Sequence, residues 1–307
     1  MVKKARIINL ISNLDTEKGL NSKFFIFNMS VGFFLGKAFR KKGVECNIVH
    51  DRSVSTAARA DHTIAISGRS MLMLRGTGKG GKEYSKAVKK KCRAYRRRVK
   101  KVTSGKIAVY LDADYFGWAE YFDHVFTVVK PRPNAHKKYV YAGWGADPKY
   151  CYPQQSGPAR PRAVFLDSLM YRYYDGKFNK IYDIYKETLP KCGLKVYDPI
   201  PKYHGTKRIK WTKMQKILGK AHYYCLTQPG EGGLTRIEAA TCGALLVVPR
   251  AFSHLRSISS LEHRVWDTKA DLVKILKTKT NPKAIRRKAL AHSWDKTASR
   301  ILKTLYA

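Results

Sequence analysis

Acidic residues are scarce in this sequence: 22 Asp and Glu stand against 61 Lys and Arg in 307 residues, a formal net charge of +39. Solubility needs far less, so the excess points to a polyanionic partner or surface. No run of about 18 apolar residues occurs, which argues against a spanning helix. The chain turns polar straight after Leu10 and Ile11, unlike a secretory leader. The cysteines, Cys46, Cys92, Cys151, Cys192, Cys225 and Cys242, form no CxxC pair and have no histidine cluster beside them. That argues against a zinc site or a disulfide framework, and for reduced thiols in a cytoplasmic compartment. No histidine belongs to an HxxxH pair, and no G-x-S-x-G elbow supports a Ser–His–Asp hydrolase. The loop GTGKGGK at residues 76–82 lacks the spacing and the preceding strand of a P-loop.

Apolar residues make up 44% and aromatics 12%, as in folded proteins. The length suits two domains. Strand-like and helix-like stretches alternate. Residues 4–12, 44–50, 62–67, 106–111 and 125–129 read as strands, with an amphipathic helix over 22–42 that ends at Lys41, Lys42 and Gly43. A segment rich in Gly, Pro and Gln follows at 143–161, and the series restarts. Strands are expected at 163–166, 194–197, 223–227 and 244–248, and helices at 179–189, 211–218 and 234–242. This rhythm predicts an α/β protein with parallel sheets covered by helices on both faces.

The positive charge is uneven. Residues 79–106 hold a single acid, Glu83, and their centre, KKKCRAYRRRVKK at 89–101, reads as a helix basic around most of its circumference. Ala94 and Val99 are its clear apolar contacts, so it is expected to be solvated or bound to anions. Residues 202–220 carry no acid, and a third basic stretch covers 269–303. Three such runs, with Tyr95 among the arginines, favour phosphate-backbone contact by Lys89, Lys90, Lys91, Arg93, Arg96, Arg97, Arg98, Lys100 and Lys101. No standard nucleic-acid reader module is visible. An anionic membrane surface is the alternative.

The stretch richest in chemistry is TQPGEGGLTRIEAATCGALLVVPR at 227–250. A strand runs into a turn of Pro229, Gly230, Gly232 and Gly233, and a helix carrying Glu238 follows. Free backbone N–H groups and the positive helix end make such a turn an anion site. A carboxylate one turn in is placed to accept hydrogen bonds from a ribose diol.

This segment resembles the donor-binding motif of retaining GT-B glycosyltransferases of the glycogen-synthase-like kind, E-G-x-G-L-x-x-x-E-A-x-A-x-G-x-P-V-V. Two further landmarks are similar to that family. YVYAGWGADPKYCYP at 139–153 resembles its domain-crossing segment, and HSWDKTASRILKTL at 292–305 its closing helix. The resemblance implies two Rossmann-like domains facing a cleft: an acceptor domain at 1–145, a donor domain at 146–290, and a helix at 291–307 crossing back to the first domain. It implies a UDP-sugar donor held by Gly230, Gly232, Gly233, Leu234, Thr235 and Glu238, with no tightly bound cofactor and no metal. Glu238 takes the place of the ribose ligand. The family's first glutamate stands eight positions earlier, whereas Glu231 and Glu238 are seven apart. Either the loop is one residue shorter and Glu231 contacts the sugar, or that role is lost. Arg172, Lys177 and Arg236 are candidates for the diphosphate.

Asp112 and Asp114 follow a strand, where carboxylates would face a ligand crevice, and are candidate catalytic residues on the acceptor side. Asp51 follows a strand as well, and His62 and His124 lie near strand ends. A GT-B fold with this charge resembles phage enzymes that glycosylate hydroxymethylated bases, such as 5-hydroxymethylcytosine, in double-stranded DNA. That resemblance implies a monomeric DNA modifier working in a bacterial cytoplasm. A membrane-linked acceptor, or a nucleic-acid-binding protein with a dead transferase fold, are the other readings.

Overall fold

The computed structural model describes residues 6–12, 27–66, 86–111, 118–154, 162–167, 179–198, 211–229 and 233–307. The chain divides into two compact units. One holds the described residues up to Trp144 together with Trp294–Ala307, and the other runs over Gly145–Ser293.

The first unit is built on six strands: β1 (Arg6–Ser12), β2 (Val44–His50), β3 (His62–Ile66), β4 (Ile107–Leu111), β5 (His124–Thr127) and β6 (Tyr139–Tyr141). They form one sheet in the order β2-β1-β3-β4-β5-β6, parallel throughout. Helix α1 (Phe27–Lys41) packs on it through Val31, Phe34, Leu35, Ala38 and Phe39, a stripe at helical spacing. The helix stops at Gly43, whose φ of +73° only glycine adopts easily.

Helix α2 (Lys86–Lys101) is the basic helix, and it buries more than its composition promises. Cys92, Tyr95, Val99 and the following Val102 join Ile11, Ala65, Val109, Phe122 and Val125 in one core cluster. Ala94, expected to be an apolar contact, is exposed, and Tyr95, expected among the arginines at the surface, is buried. The steps of three and four residues from Cys92 to Val99 fix the rotation of the helix. A narrow apolar stripe is enough because long basic side chains fill the remaining circumference.

The second unit holds β7 (Ala163–Asp167), β8 (Lys195–Tyr197), β9 (Tyr223–Leu226), β10 (Leu245–Pro249) and β11 (His263–Trp266), parallel and ordered β11-β10-β9-β7-β8. Its helices are α3 (Asn179–Lys191), α4 (Trp211–Lys220), α5 (Leu234–Thr241), α6 (Lys269–Lys277) and α7 (Pro282–Ala289). Here Tyr185 of α3 donates to the Val247 carbonyl at 3.1 Å and accepts from Trp266 Nε1 at 2.8 Å, tying α3 to two strands.

Helix α8 (Trp294–Leu305) belongs to the first unit. Trp294 stacks on Phe34 of α1 with centroids 6.2 Å apart, and Lys41 pairs with Asp295 at 2.5 Å.

Both sheets share one plan. The first strand of each series lies between the second and the third, so the chain reverses direction across the sheet at β1/β3 and again at β7/β9. In open parallel sheets, ligands bind at the carboxyl ends of the strands flanking such a reversal.

Candidate functional site

At the β7/β9 reversal the two strand ends are joined by side chains. β7 ends at the buried Asp167, and the Thr227 hydroxyl just after β9 donates to the Asp167 carbonyl. From α5, Arg236 folds back to the same point. Its Nη1 donates to Ser257 Oγ at 2.9 Å, its Nη2 to the Gln228 carbonyl at 3.4 Å, and its Nε lies 3.8 Å from Asp167 Oδ2. Both members of this ion pair are buried, at 2% and 7% side-chain exposure. Burial raises the Asp167 carboxyl above the usual carboxylate range, and the guanidinium opposes this only in part. Gly233 opens α5 without a side-chain cap. A Cβ there would stand 2.6 Å from Arg236 Cδ, so the absence of a side chain makes room for the returning arginine.

Glu238 lies on α5 and is buried. Trp211, the first residue of α4, donates its Nε1–H to Glu238 Oε1 at 3.1 Å. Burial lifts the Glu238 carboxyl to about 7, and Gln215 and Trp211 beside it pull the other way. Around this group stand Cys151, whose Sγ donates to Gln215 Oε1 at 3.2 Å, and Tyr150, whose ring meets Trp211 edge-on at 5.5 Å. The Cys242 thiol and burial push Cys151 up, which leaves it a neutral, unreactive thiol. The site thus offers a helix N-terminus, a buried carboxyl poised near neutrality, and an internal ion pair that ties α5 to the carboxyl end of β7.

The structure brings together Gly233, Leu234, Thr235, Arg236 and Glu238 from the expected donor set. Gly230, Glu231, Gly232, Arg172 and Lys177 lie outside the described residues, as do Asp112 and Asp114. Arg236 has a different placement from that of a phosphate ligand: its guanidinium is buried and engaged by Asp167, Ser257 and the Gln228 carbonyl. Three residues that no motif singled out shape the site: Asp167, Trp211 and Gln215. Trp211 and Gln215 stand far from Glu238 in sequence and meet it only because α4 packs on α5. Asp167, just past the strand expected at 163–166, did carry a readable signal.

On α2, Arg96 is engaged within the unit, with Nη2 on Asp123 Oδ1 at 2.8 Å and Nη1 on the Tyr121 carbonyl. Burial pushes the Asp123 carboxyl up, but the Ile107 N–H and Arg96 outweigh it and hold the group below its usual range. Arg93 reaches Glu120 at 3.7 Å. Lys90, Arg97, Arg98, Lys100 and Lys101 are exposed, and none has an ion pair among the described residues; Arg98 lies over the Tyr95 ring at 5.7 Å. The side chains of Lys89 and Lys91 lie outside the described residues.

His62 and His124 open β3 and β5, at the amino ends of the strands and so away from their carboxyl ends, where ligands bind in open parallel sheets. His62 Nδ1 accepts the Lys106 N–H at 3.0 Å, and His222 does the same for Ala163 at 3.1 Å in the second unit. Asp51 starts a short 3-10 helix, Asp51–Thr56. All six cysteines are free. Among the described residues no cluster of three or more His, Cys, Asp or Glu could hold a metal ion, and no helix is long and apolar enough to cross a membrane.

No protein-family model and no curated protein matches the chain in sequence. Solved structures do resemble it over their whole length. The apo form of the lipopolysaccharide outer core galactosyltransferase WaaB superimposes with a TM-score of 0.54 at 10% identity, over 98% of this chain and 99% of that one. HepE from Anabaena, in complex with UDP and glucose, gives 0.57 at 12% identity, over 99% and 100%. Together with the two all-parallel sheets, this likeness defines a GT-B fold, the fold of nucleotide-sugar glycosyltransferases.

Proposed function

We propose that the protein transfers a sugar from a uridine diphosphate sugar to a hydroxymethylated base in DNA. The observation that carries the donor half is the position of Glu238: buried on α5, about one turn in from Gly233, in the helix that follows β9 where the second sheet reverses. The ionised carboxylate accepts both hydroxyls of the donor ribose. The turn and the first N–H groups of α5 receive the diphosphate, and the helix dipole stabilises the charge that grows on it as the glycosidic bond breaks. Arg236 acts from behind, holding the loop that carries these groups in place through Gln228 and Ser257. Arg172 and Lys177 add cations to the diphosphate. Glu231 contacts the sugar, and Asp112 and Asp114 serve the acceptor hydroxyl in the first unit.

The acceptor half rests on charge. With +39 overall, and with Lys90, Arg97, Arg98, Lys100 and Lys101 exposed on one helix, the chain suits a polyphosphate backbone. A base bearing a hydroxymethyl group, swung out of the duplex, presents the nucleophile.

Binding of UDP to the purified protein and to its Glu238→Ala variant tests the donor half. The wild type is expected to bind, and the folded variant to lose at least tenfold in affinity. Equal binding by both proteins would remove Glu238 from the donor site. A protein that binds DNA but no UDP would be a nucleic-acid-binding protein with an idle transferase fold.

A further inference from the structure

We propose that Trp211 is a positioning residue for the donor site: its indole N–H orients the Glu238 carboxylate so that it discriminates for the 2′-hydroxyl of the donor nucleotide. This rests on the donor reading above.

Three features of the pair support it. The contact is a direct 3.1 Å hydrogen bond between side chains of two helices, α4 and α5, with both residues buried. Indole is a donor only. It therefore occupies one lone pair of Oε1 without competing for the donors that a carboxylate is there to receive, and the remaining lone pairs stay available to two hydroxyls. Finally, the indole is itself fixed. Tyr150 meets it edge-on at 5.5 Å and an interplanar angle of 67°, and only 5% of Trp211 is exposed. A glutamate side chain has three torsions to freeze, and a rigid donor on a packed ring removes that freedom before the ligand arrives.

Charge matters as much as orientation. A neutral carboxylic acid keeps one hydroxyl donor and cannot accept equally at both oxygens. Among the described residues, the groups that favour the ionised form of Glu238 are Gln215 and Trp211, and no cation offsets its burial. The titratable neighbours, Cys151 from the 145–154 segment, Cys242 at the end of α5 and Tyr224 on β9, bring no positive charge. An apolar ring of similar size at Trp211 would fill the same space and leave the carboxyl without its N–H donor.

The test is calorimetric titration of the full chain with UDP and with 2′-deoxy-UDP, using the wild type and Trp211→Phe. The wild type is expected to prefer UDP. In Trp211→Phe, UDP affinity is expected to fall about tenfold, the worth of one hydrogen bond to a charged group, while deoxy-UDP affinity changes less, so that the preference shrinks towards unity. A folded Trp211→Phe protein with an unchanged UDP to deoxy-UDP ratio would overturn the proposal and leave the donor reading intact, because a purely structural tryptophan changes stability and not the ratio. A wild type that binds neither nucleotide would overturn both. Should the phenylalanine variant fail to fold, the benzothienyl analogue of tryptophan at position 211 replaces only the N–H, and the same ratio decides.

Discussion

Gly233 and Arg236 share one space: the glycine leaves open the volume through which the arginine folds back, and a Cβ on Gly233 would come within 2.6 Å of Arg236 Cδ. A three-residue separation at the start of α5 thus couples Gly233 to the Asp167–Arg236 ion pair. Gly233→Ala is expected to destabilise the second unit by about 1–3 kcal/mol, the usual cost of overpacking a filled site. Chemical denaturation measures it, and wild-type stability in the variant would show that Arg236 moves aside freely.

The Asp167–Arg236 pair makes the next prediction. Arg236→Met leaves a buried carboxyl without its counter-charge, a loss of about 3–5 kcal/mol in comparable buried pairs. Adding Asp167→Asn is expected to restore a large part of that stability, because the unmatched group is then gone. A double variant no more stable than Arg236→Met alone would mean that Gln228 and Ser257, and not the charge, are what Arg236 serves.

Glu238 gives the protein a pH signature with opposite signs for folding and for donor binding. Its carboxyl rises from 4.5 in the unfolded chain to about 7 in the fold. A carboxyl raised by folding favours the native state below its unfolded value, and that contribution is lost as pH climbs through about 7. Stability of the wild type relative to Glu238→Gln is therefore expected to fall between about pH 4.5 and 7, by up to about 3 kcal/mol. UDP affinity is expected to rise over the upper part of the same range, because the ribose is held by the ionised form. Melting temperatures and UDP titrations across pH 5–8.5 check both trends, and flat curves in either would contradict the environment assigned to Glu238.

The cations of α2 divide into two kinds. Replacing Arg97, Arg98, Lys100 and Lys101 with alanine is expected to leave stability nearly unchanged, since all four are exposed. DNA affinity should fall across all sequences, and the slope of log affinity against log salt should drop by about one for each phosphate no longer neutralised. Arg96→Ala should instead lower stability, because it frees Asp123 and the Tyr121 carbonyl. Electrophoretic mobility shifts at several salt concentrations, beside melting curves, separate the two kinds.

The strands of the second series with continuous apolar runs were among the most legible elements: β9 and β10 lie within one residue of the expected bounds. The edge strands β6 and β11 were not. β6 is only half-buried along its length, and Arg264 of β11 is exposed, so neither carries a buried-strand pattern. Helices α6 and α7 were hidden by their charge, although Thr268 with Asp271 forms a capping box and Asn281–Pro282 is a helix start. The misjudged face of α2 has a related cause: cysteine and tyrosine at positions 92 and 95 complete the apolar stripe with Val99, and neither looks apolar beside so many arginines. At the site, Glu238 and Gly233 were legible because a loop and helix motif carries them. Trp211 and Gln215 were not, because helix packing alone places them there, and packing leaves no local spacing to read. The inward turn of Arg236 likewise depends on Asp167, 69 positions earlier in the chain.

Mass spectrometry of nucleosides reads the proposed reaction itself. The protein would be incubated with DNA containing 5-hydroxymethylcytosine or 5-hydroxymethyluracil and a panel of nucleotide sugars, and the DNA then digested. A modified nucleoside heavier by one glycosyl unit is expected, formed with a uridine diphosphate sugar and lost in Glu238→Ala. Unchanged nucleosides with every donor, from a protein that still binds the DNA in a salt-sensitive way, would contradict the proposed reaction.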